Sequence, residues 1–340
     1  MQVMMQNLEI KINLWHVTEA EFLTKKYAAE NLALSRACLS PNKMTSVLQE
    51  IPHFTKLSER VVRILGLNPG LLTLQGTNTY LIGTGPRKIL LDTGDGKSEY
   101  IHLLIDSLKK FGENVIISDI LISHWHFDHV GGIDNILQYA RENNLPSPVM
   151  HKKLDPEHDK SYHTFQQVED NQIFRTDGAT IRSIFTPGHS EDHVAFYLEE
   201  ENAIFTGDTV LGQGTTKFEN LGEYINSLQK LRQFSPDRLY PGHGPVIEKG
   251  TEKLDEYITH RLKREEEIIE VLKRTETPLT PGQIVEVIYA KYPKKLWPAA
   301  EHGIILHLIK LENDGIVEKL SSNSDIESPK GEWAIINSKI

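Results

Sequence analysis

From residue 60 onward, short runs of β-branched, aliphatic and aromatic residues alternate with turns rich in glycine and proline. This spacing is typical of strands joined by tight turns. The runs that predict strands lie at 61–68, 77–83, 88–94, 117–123, 179–186, 194–199, 202–207 and 237–242. Apolar residues at helical spacing predict helices over 98–111, 133–142 and 222–233. Strands with interspersed helices predict sheets covered by helices, which is an α/β layered architecture.

The pattern changes after about residue 250, where long helical stretches replace the strands. Residues 251–274 combine charged residues with Leu and Ile at helical spacing, and "TPGQIVEVIYAKY" opens a second helix with a threonine cap and a proline. A third helix begins at "PAAEHG" and closes at Asn313-Asp314-Gly315, and "GEWAII" is expected to pair with "GIVEKL" as a hairpin. Three helices and a terminal hairpin predict a winged-helix-like, α-rich module over residues 251–340.

The N-terminal segment differs from both regions. Residues 1–56 show no sustained alternation and are expected to form a peripheral extension to a main domain over residues 57–250. Mitochondrial transit peptides are rich in arginine and poor in acids. This segment has four glutamates before position 31 and only Arg36 before position 60, so its targeting signal is weak.

Composition limits the kinds of site that the chain can build. A formal net charge of −10 over 340 residues argues against an overall basic surface, although it leaves room for a local basic groove. Cys38 is the single cysteine, so an intramolecular disulfide is excluded and a metal site must use histidines and carboxylates. No apolar run approaches the roughly 18 residues that span a bilayer, so the sequence predicts a soluble protein with no membrane partner. The oligomeric state is left open.

The stretch "SHWHFDHVGGI" (123–133) concentrates ligand-type side chains directly after a predicted buried strand. A polar loop that happens to be rich in histidine is the ordinary explanation. Four further strand ends, however, carry a histidine or an aspartate flanked by glycine, where the backbone can approach a shared centre closely. These residues are Asp92, His189, Asp208 and His243. The sequence therefore predicts a metal centre assembled from five turns.

The number of candidate ligands indicates two ions. Neutral imidazoles and carboxylates suit zinc, but seven groups are too many for one tetrahedral ion. Two ions that share one carboxylate and one hydroxide fit that number. A structural zinc site is normally closed by four ligands and often uses cysteine, so a catalytic centre is favoured. The seven predicted ligands are His124, His126, Asp128, His129, His189, Asp208 and His243.

In these motifs the sequence resembles the metallo-β-lactamase fold hydrolases, over roughly residues 57–250. The resemblance implies an αβ/βα four-layer sandwich and two bound Zn²⁺ ions. It implies one zinc on His124, His126 and His189, and a second on Asp128, His129 and His243. Asp208 would bridge the two ions, a zinc-bound hydroxide would be the nucleophile beside the catalytic residues Asp128 and Asp208, and Asp92 would orient a ligand imidazole through a hydrogen bond.

The ligands predict hydrolysis but leave the substrate open, because the same chemistry serves β-lactams, thioesters, lactones and phosphodiesters. A finer resemblance, from about Met44 to near the C-terminus, links the sequence to a metazoan group in the glyoxalase II-like branch. This resemblance implies that the protein is a zinc-dependent endoribonuclease that acts on single-stranded RNA in the mitochondrial matrix. The alternatives are a glyoxalase II-like thioester or lactone hydrolase, and a non-catalytic nucleic-acid-binding scaffold with a structural metal site. The cytoplasm is the alternative location.

Support for RNA within the sequence itself is limited. Residues 251–340 hold 13 Lys and Arg against 16 Asp and Glu, so the basic excess of a nucleic-acid footprint is missing. One local cluster of lysines and aromatic residues has two interpretations. It fits a surface that binds a phosphate backbone and stacks a base, and it fits equally a solvated helix end with packed aromatics. This cluster comprises Lys291, Lys294 and Lys295 with Tyr292 and Trp297 interleaved.

Three further residues, Trp125, Phe127 and His193, lie close to the predicted ligands in the sequence. Trp125 and Phe127 lie between the ligands. They are expected to pack inward and fix the loop, and substrate stacking is the alternative. His193 follows His189 closely in sequence, and either a contact at the pocket edge or a hydrogen-bonded structural role fits it. The other histidines are expected to be ordinary surface or core residues.

Overall fold

The computed structural model describes residues 48–112, 114–159, 163–275, 277–320 and 331–336. Within these ranges two β-sheets lie face to face, each covered on its outer side by helices, and an α-rich module follows. The architecture is the predicted four-layer αβ/βα sandwich.

The first sheet has seven strands that neighbour one another in chain order. They are β1 (Phe54–Lys56), β2 (Val61–Leu65), β3 (Asn78–Ile82), β4 (Arg87–Leu91), β5 (Ile116–Leu121), β6 (Val149–Lys152) and β7 (Gln166–Gln167). Strands β1 to β4 form an antiparallel meander, and β4 to β7 run parallel to one another. The parallel half places the C-terminal ends of β4 and β5 at one edge of the sheet.

The second sheet has five strands in the order β12, β11, β10, β9, β8. They are β8 (Ile173–Thr176), β9 (Ala179–Phe185), β10 (Val194–Leu198), β11 (Ala203–Gly207) and β12 (Arg238–Pro241). Pairing is antiparallel except between β11 and β12. The C-terminal ends of β9, β11 and β12 therefore share an edge, because β9 and β11 both run antiparallel to β10.

Helices fill the connections between strands and form the C-terminal module. They are α1 (Ser98–Lys109), α2 (Phe127–Val130), α3 (Ile133–Glu142), α4 (Leu221–Gln233), α5 (Gly250–Arg274), α6 (Pro281–Ile288) and α7 (Trp297–Asn313). Short 3-10 turns occur at Glu199–Glu201 and Lys294–Leu296, and β13 (Val317–Leu320) pairs with β14 (Glu332–Ile335) near the C-terminus.

Three apolar layers hold the sandwich together. Between the sheets, inward residues such as Ile89 and Phe196 are buried, with Tyr80 packed edge-on against Phe205. On the outer face of the first sheet, α1 and α3 pack onto β2 to β5. On the outer face of the second, α4 and the start of α5 pack onto β9 to β12. Burial on both faces explains why these strands read as nearly continuous apolar runs.

The C-terminal module has a core of its own. The second half of α5, the helices α6 and α7, and the hairpin β13–β14 converge on the buried Trp333 and Leu308. Thr280 caps α6 by accepting from the backbone N–H of Gln283, whose side chain accepts from the N–H of Thr280. Three helices and a terminal hairpin are the winged-helix arrangement predicted from the sequence.

Most predicted elements end within one or two residues of those observed, and α3 matches its predicted span. The sequence did not indicate β6, β7 or β8, which are short. Strand β1 falls inside the range 1–56 predicted as an extension, yet it pairs with β2 at the sheet edge. Residues 1–47 lie outside the described residues, and the division at 56 and 250 stays a prediction. A helix with the length and apolarity to cross a bilayer is absent from the described ranges.

Candidate metal centre

Five strand ends converge at one edge of the sandwich. On the first sheet, Asp92 follows β4 and the 123–129 turn follows β5. On the second, His189, Asp208 and His243 lie beyond β9, β11 and β12. Backbone hydrogen bonds join the two sheets there: the N–H of Val194 donates to the carbonyl of Ser123 at 2.8 Å, and the N–H of Asn78 donates to Gly242 at 2.7 Å. The fold thus brings all the predicted ligands to one place.

The candidate ligand atoms fall into three overlapping groups, and within each group the atoms lie within 4.8 Å of one another. These groups are His124, His126 and His189; His124, His129 and Asp208; and Asp128, His129 and His243. The first and third groups coincide with the two ligand sets that the resemblance implies. Each can hold one ion.

Asp208 lies between the two sets. Its Oδ2 is 3.7 Å from Nε2 of His189 and 3.4 Å from Nε2 of His243, and its Oδ1 is 3.6 Å from Nε2 of His129. A carboxylate in this position can contribute an oxygen to each of two ions. Asp128 Oδ2 lies 3.3 Å from Nε2 of both His129 and His243.

Two of these atoms are buried without a hydrogen-bond partner among the described residues. They are Nε2 of His129 and Oδ1 of Asp208. Buried polar atoms are nearly always paired, because leaving one unpaired costs about 1–3 kcal/mol. A metal ion that accepts the nitrogen lone pair and the carboxylate charge would satisfy both atoms. The donor set is therefore suited to metal ions.

Asp92 fixes the ring of His129 through Nδ1, the ring nitrogen on the side away from the other candidate ligand atoms. Its Oδ2 lies 2.8 Å from Nδ1 of His129, and its two oxygens also accept from the N–H and hydroxyl of Ser123 at 2.8 Å each. This contact keeps a proton on Nδ1 of His129 and makes Nε2 the nitrogen that faces a metal. Asp92 itself is 2% exposed and lies in the left-handed region with φ 57°.

Two further imidazoles are oriented by hydrogen bonds on the side away from the centre. Nδ1 of His189 lies 2.7 Å from the carbonyl oxygen of Lys217 and donates to it. Nδ1 of His124 lies 2.9 Å from the hydroxyl of Ser123. Both rings therefore turn Nε2 toward the candidate ions.

His193 positions the turn that carries Asp208. Its Nε2 accepts the backbone N–H of Asp208 at 3.1 Å, and its Nδ1 lies 2.8 Å from the hydroxyl of Thr186. A Cβ on Gly207 would lie 2.6 Å from Nε2 of His193, so this contact requires glycine. His193 is fully buried, and burial with neighbouring histidines lowers its pKa well below the usual value. It acts as a neutral hydrogen-bonded residue behind the site.

The histidines among the candidate ligands differ in pKa, and therefore in whether they are protonated at pH 7. Burial opposes protonation of His243, but Asp208 and Asp128 outweigh it and raise the pKa of His243 to about 10. His129 likewise has its pKa raised well above 6.5, because the carboxylates of Asp128, Asp92 and Asp208 overcome the cost of burial. Burial lowers the pKa of His126 to about 3. At pH 7 His129 and His243 thus carry protons that a metal must displace.

We expect Zn²⁺ binding at pH 7 to release about two protons per chain from the ligands, one each from His129 and His243, in addition to any proton from a zinc-bound water that ionises. Metal affinity should therefore rise with pH through neutrality. Isothermal titration in buffers of different ionisation enthalpy measures the number released. Binding that releases no proton at pH 7 would contradict this charge distribution.

The two aromatic residues between the ligands differ in orientation. Trp125 packs as expected, with its ring stacked on His158 at 4.0 Å between centroids and an interplanar angle of 13°. Asp155 holds His158 through a 2.7 Å contact to Nδ1. Phe127 is 68% exposed at the first residue of α2, so the expectation that it packs inward is wrong. It projects into solvent beside His126 and Asp128.

Several supporting groups had no signal in the sequence. The hydroxyl of Thr77 donates to Oδ2 of Asp128 at 2.8 Å, and the carbonyl of Lys217 orients His189. His158 had been expected to be an ordinary histidine. A backbone carbonyl is available at every residue, and a stack between residues 125 and 158 leaves no local pattern.

The chain belongs to the metallo-beta-lactamase superfamily. Residues 72–243 match the family model described as "Metallo-beta-lactamase superfamily", and residues 280–333 match the "Beta-lactamase associated winged helix domain". Together with the histidine and aspartate cluster, this membership identifies a hydrolase with a candidate metal site.

Among curated relatives, the chain is 48% identical over 272 residues to the "Beta-lactamase-like protein 2 homolog" of Caenorhabditis elegans, covering 80% of this chain and 90% of that protein. It is 39% identical over 256 residues to the "Atrochrysone carboxyl ACP thioesterase" of Aspergillus fumigatus, covering 72% of this chain and 78% of that protein. A solved beta-lactamase domain protein from Burkholderia ambifaria shares the fold, with a TM-score of 0.68 at 16% identity over 83% of this chain and 93% of that one.

Proposed function

We propose that this protein is a dizinc hydrolase that cleaves phosphodiester bonds within single-stranded RNA. The observation that carries the hydrolytic part is Asp208, whose two oxygens face histidines of both ligand sets at 3.4–3.7 Å. Such a pair of sites suits two ions about 3.5–4 Å apart, the spacing found in many nucleases and phosphatases.

Zinc ions bound there would lower the pKa of a water molecule and so supply a nucleophile near neutral pH. The residues of the chain prepare this chemistry. Asp92, Ser123 and the Lys217 carbonyl turn the imidazoles toward the ions, and His193 holds the Asp208 turn. Because these groups are buried and hydrogen-bonded before substrate arrives, little reorganisation is needed during the reaction.

Two features of the surface favour a nucleic-acid substrate. Phe127 presents an exposed aromatic ring next to the ligands, where an unpaired base can stack on it. Lys291, Lys294 and Lys295 are all exposed before α7, where they can attract a phosphate backbone. Tyr292 and Trp297, by contrast, pack against the core of the C-terminal module, so the role of that cluster is electrostatic.

A second candidate is hydrolysis of an acyl thioester, and the similarity to the Aspergillus fumigatus thioesterase favours it. Zinc held by the same ligands would supply a water-derived nucleophile for a carbonyl carbon as well as for a phosphorus. A thioester does not need the lysines before α7, and its acyl chain would contact Phe127 by apolar packing instead of base stacking. The two candidates therefore differ in what lies around the metals, while the metal centre itself is shared.

The proposal predicts cleavage of a labelled single-stranded RNA by the zinc-loaded protein, with little hydrolysis of a panel of acyl thioesters. The two substrate classes should be compared at equal protein and zinc concentrations. We expect replacement of Lys291, Lys294 and Lys295 by glutamine to weaken RNA cleavage and its dependence on salt, because lysine contacts to phosphates release counterions.

Three results would overturn parts of this proposal. Rapid thioester hydrolysis without RNA cleavage would replace the substrate with the second candidate. RNA cleavage that survives His126→Ala would indicate a contaminating nuclease. Freshly purified protein with less than one zinc per chain, and no uptake of added zinc, would remove the metal centre and leave the non-catalytic scaffold.

We propose the mitochondrial matrix as the location of this activity, on the basis of the resemblance alone. The cytoplasm is the alternative. Fractionation of cells that produce the full chain, followed by protease protection of the organelles, distinguishes the two locations.

A further inference from the structure

The loop after Asp208, residues 211–218 and here called the rim loop, supplies one of the groups that orient a candidate ligand. The carbonyl of Lys217 accepts from Nδ1 of His189 at 2.7 Å, and the hydroxyl of Thr216 lies 3.4 Å from the same nitrogen. The rim loop contains no helix or strand of its own. Its position, and with it that of His189, must be set by contacts to other elements.

The backbone N–H of Gly212 donates to the carbonyl of His243 at 2.9 Å, and several further contacts come from one face of α5. Arg261 is 4% exposed, and its guanidinium donates to the hydroxyl of Thr215 at 2.6 Å. The same guanidinium lies 4.7 Å from the ring centroid of Phe218, which stacks on Tyr224. One turn earlier, Tyr257 donates to the carbonyl of Gly214 at 3.1 Å. Side chains four residues apart on the helix thus hold the rim loop along most of its length.

One turn after Arg261, the same face of α5 contacts the C-terminal module through Glu265. Glu265 accepts from Lys310 of α7 at 3.0 Å, and its other oxygen lies 3.6 Å from Nδ1 of His307. Glu265 is 7% and His307 is 3% exposed, so this contact is buried. Tyr257, Arg261 and Glu265 therefore form one continuous stripe, here called the α5 stripe, from the rim loop to α7.

We propose that Arg261 is a positioning residue for the metal centre, and that the α5 stripe uses it to connect the C-terminal module to His189. Arg261 fixes Thr215 and Phe218 on both sides of Lys217, so the carbonyl between them stays aimed at the imidazole. The winged-helix module in turn fixes the stripe through Glu265. If so, the docking of the winged-helix module sets the geometry of one candidate ligand, His189. The inference rests on the proposed role of His189 as a metal ligand.

The test is the affinity of the full chain for Zn²⁺, measured by competition with a chromophoric chelator. We expect Arg261→Met to weaken binding of one ion by about tenfold, the lower end of the range for loss of a group that orients a ligand. Replacing zinc with Co²⁺ gives a second readout, because the visible absorption of Co²⁺ should change in shape if the His189 ring is displaced.

Arg264→Met is the matched control. Arg264 lies on the same helix, with its guanidinium 4.5 Å from the ring centroid of Tyr289 and 2.8 Å from Glu267, and it belongs to the contact with α6. It should alter thermal stability without altering zinc affinity or the Co²⁺ spectrum. Thr215→Val removes the acceptor of the Arg261 hydrogen bond together with a long 3.4 Å contact to the carbonyl of Thr216. It should weaken zinc binding in the same direction, and it covers the case in which Arg261→Met does not fold.

The outcomes separate this inference from the proposed function. Wild-type protein that binds no zinc would defeat the metal assignment itself. Wild-type protein that binds zinc, with Thr215→Val and folded Arg261→Met both unchanged in affinity and Co²⁺ spectrum, would overturn the positioning role alone. Equal losses in Arg261→Met and Arg264→Met would also overturn it, because general loosening of α5 would then account for both.

Discussion

Asp208→Asn is expected to reduce hydrolysis by on the order of 10³-fold, equivalent to about 4 kcal/mol of transition-state stabilisation. The amide keeps the shape of the side chain but loses the charge that faces His189, His129 and His243. Without a shared carboxylate the two ions lose a common ligand, and the second ion should be held weakly or not at all. Zinc content by mass spectrometry and initial rates at saturating substrate measure the two effects.

Asp255→Asn provides the control for that substitution. Asp255 is a half-exposed carboxylate on α5 that pairs with Arg232 at 2.7 Å and is not among the grouped ligand atoms. Exposed pairs of this kind contribute about 0–1 kcal/mol, so activity and zinc content should match the wild type. An Asp208→Asn protein that retains two zinc ions and more than a tenth of the activity would contradict the bridging position.

The ligands could be predicted from the sequence because metal chemistry restricts the residue types and turn geometry restricts their places. His189 and His243 each follow a strand and adjoin glycine, and the structure shows why glycine is needed at such turns. A Cβ on Gly242 would lie 2.4 Å from Oδ1 of Asp208. The strands that carry these turns could also be predicted from the sequence, since they are short runs of β-branched, aliphatic and aromatic residues that end at glycine or proline.

Apart from Asp92, the groups that orient the ligands could not be predicted in the same way. The partner of His189 is a backbone carbonyl, so the identity of Lys217 carries no information about it. Arg261 lies on a helix rich in charged residues, and only tertiary packing distinguishes it from Arg264. Phe127 was wrongly expected to pack inward, because the four-residue helix α2 turns its side chain out while its neighbours face the site.

Asp92→Asn is expected to lower the affinity for the ion at Asp128, His129 and His243 by about 10–100-fold, although Asp92 is not itself among the grouped ligand atoms. Its carboxylate accepts three hydrogen bonds, two from Ser123 and one from Nδ1 of His129. An amide cannot accept all three. With its nitrogen toward His129 it favours the tautomer protonated at Nε2, which cannot bind a metal. With its nitrogen toward the Ser123 N–H, two donors face each other at a cost of about 1–3 kcal/mol.

Asp119→Asn is a closely matched comparison, because Asp119 also pairs with a buried histidine. Its Oδ1 lies 3.0 Å from Nε2 of His151, outside the grouped ligand atoms. Both substitutions remove one carboxylate beside one imidazole, so both should cost stability, but only Asp92→Asn should weaken zinc binding. Excess zinc should restore part of the activity of Asp92→Asn, since the ligands themselves are intact. Unchanged zinc affinity in folded Asp92→Asn would show that the imidazole of His129 is oriented by the fold alone and does not depend on the hydrogen bond that its Nδ1 donates to Asp92.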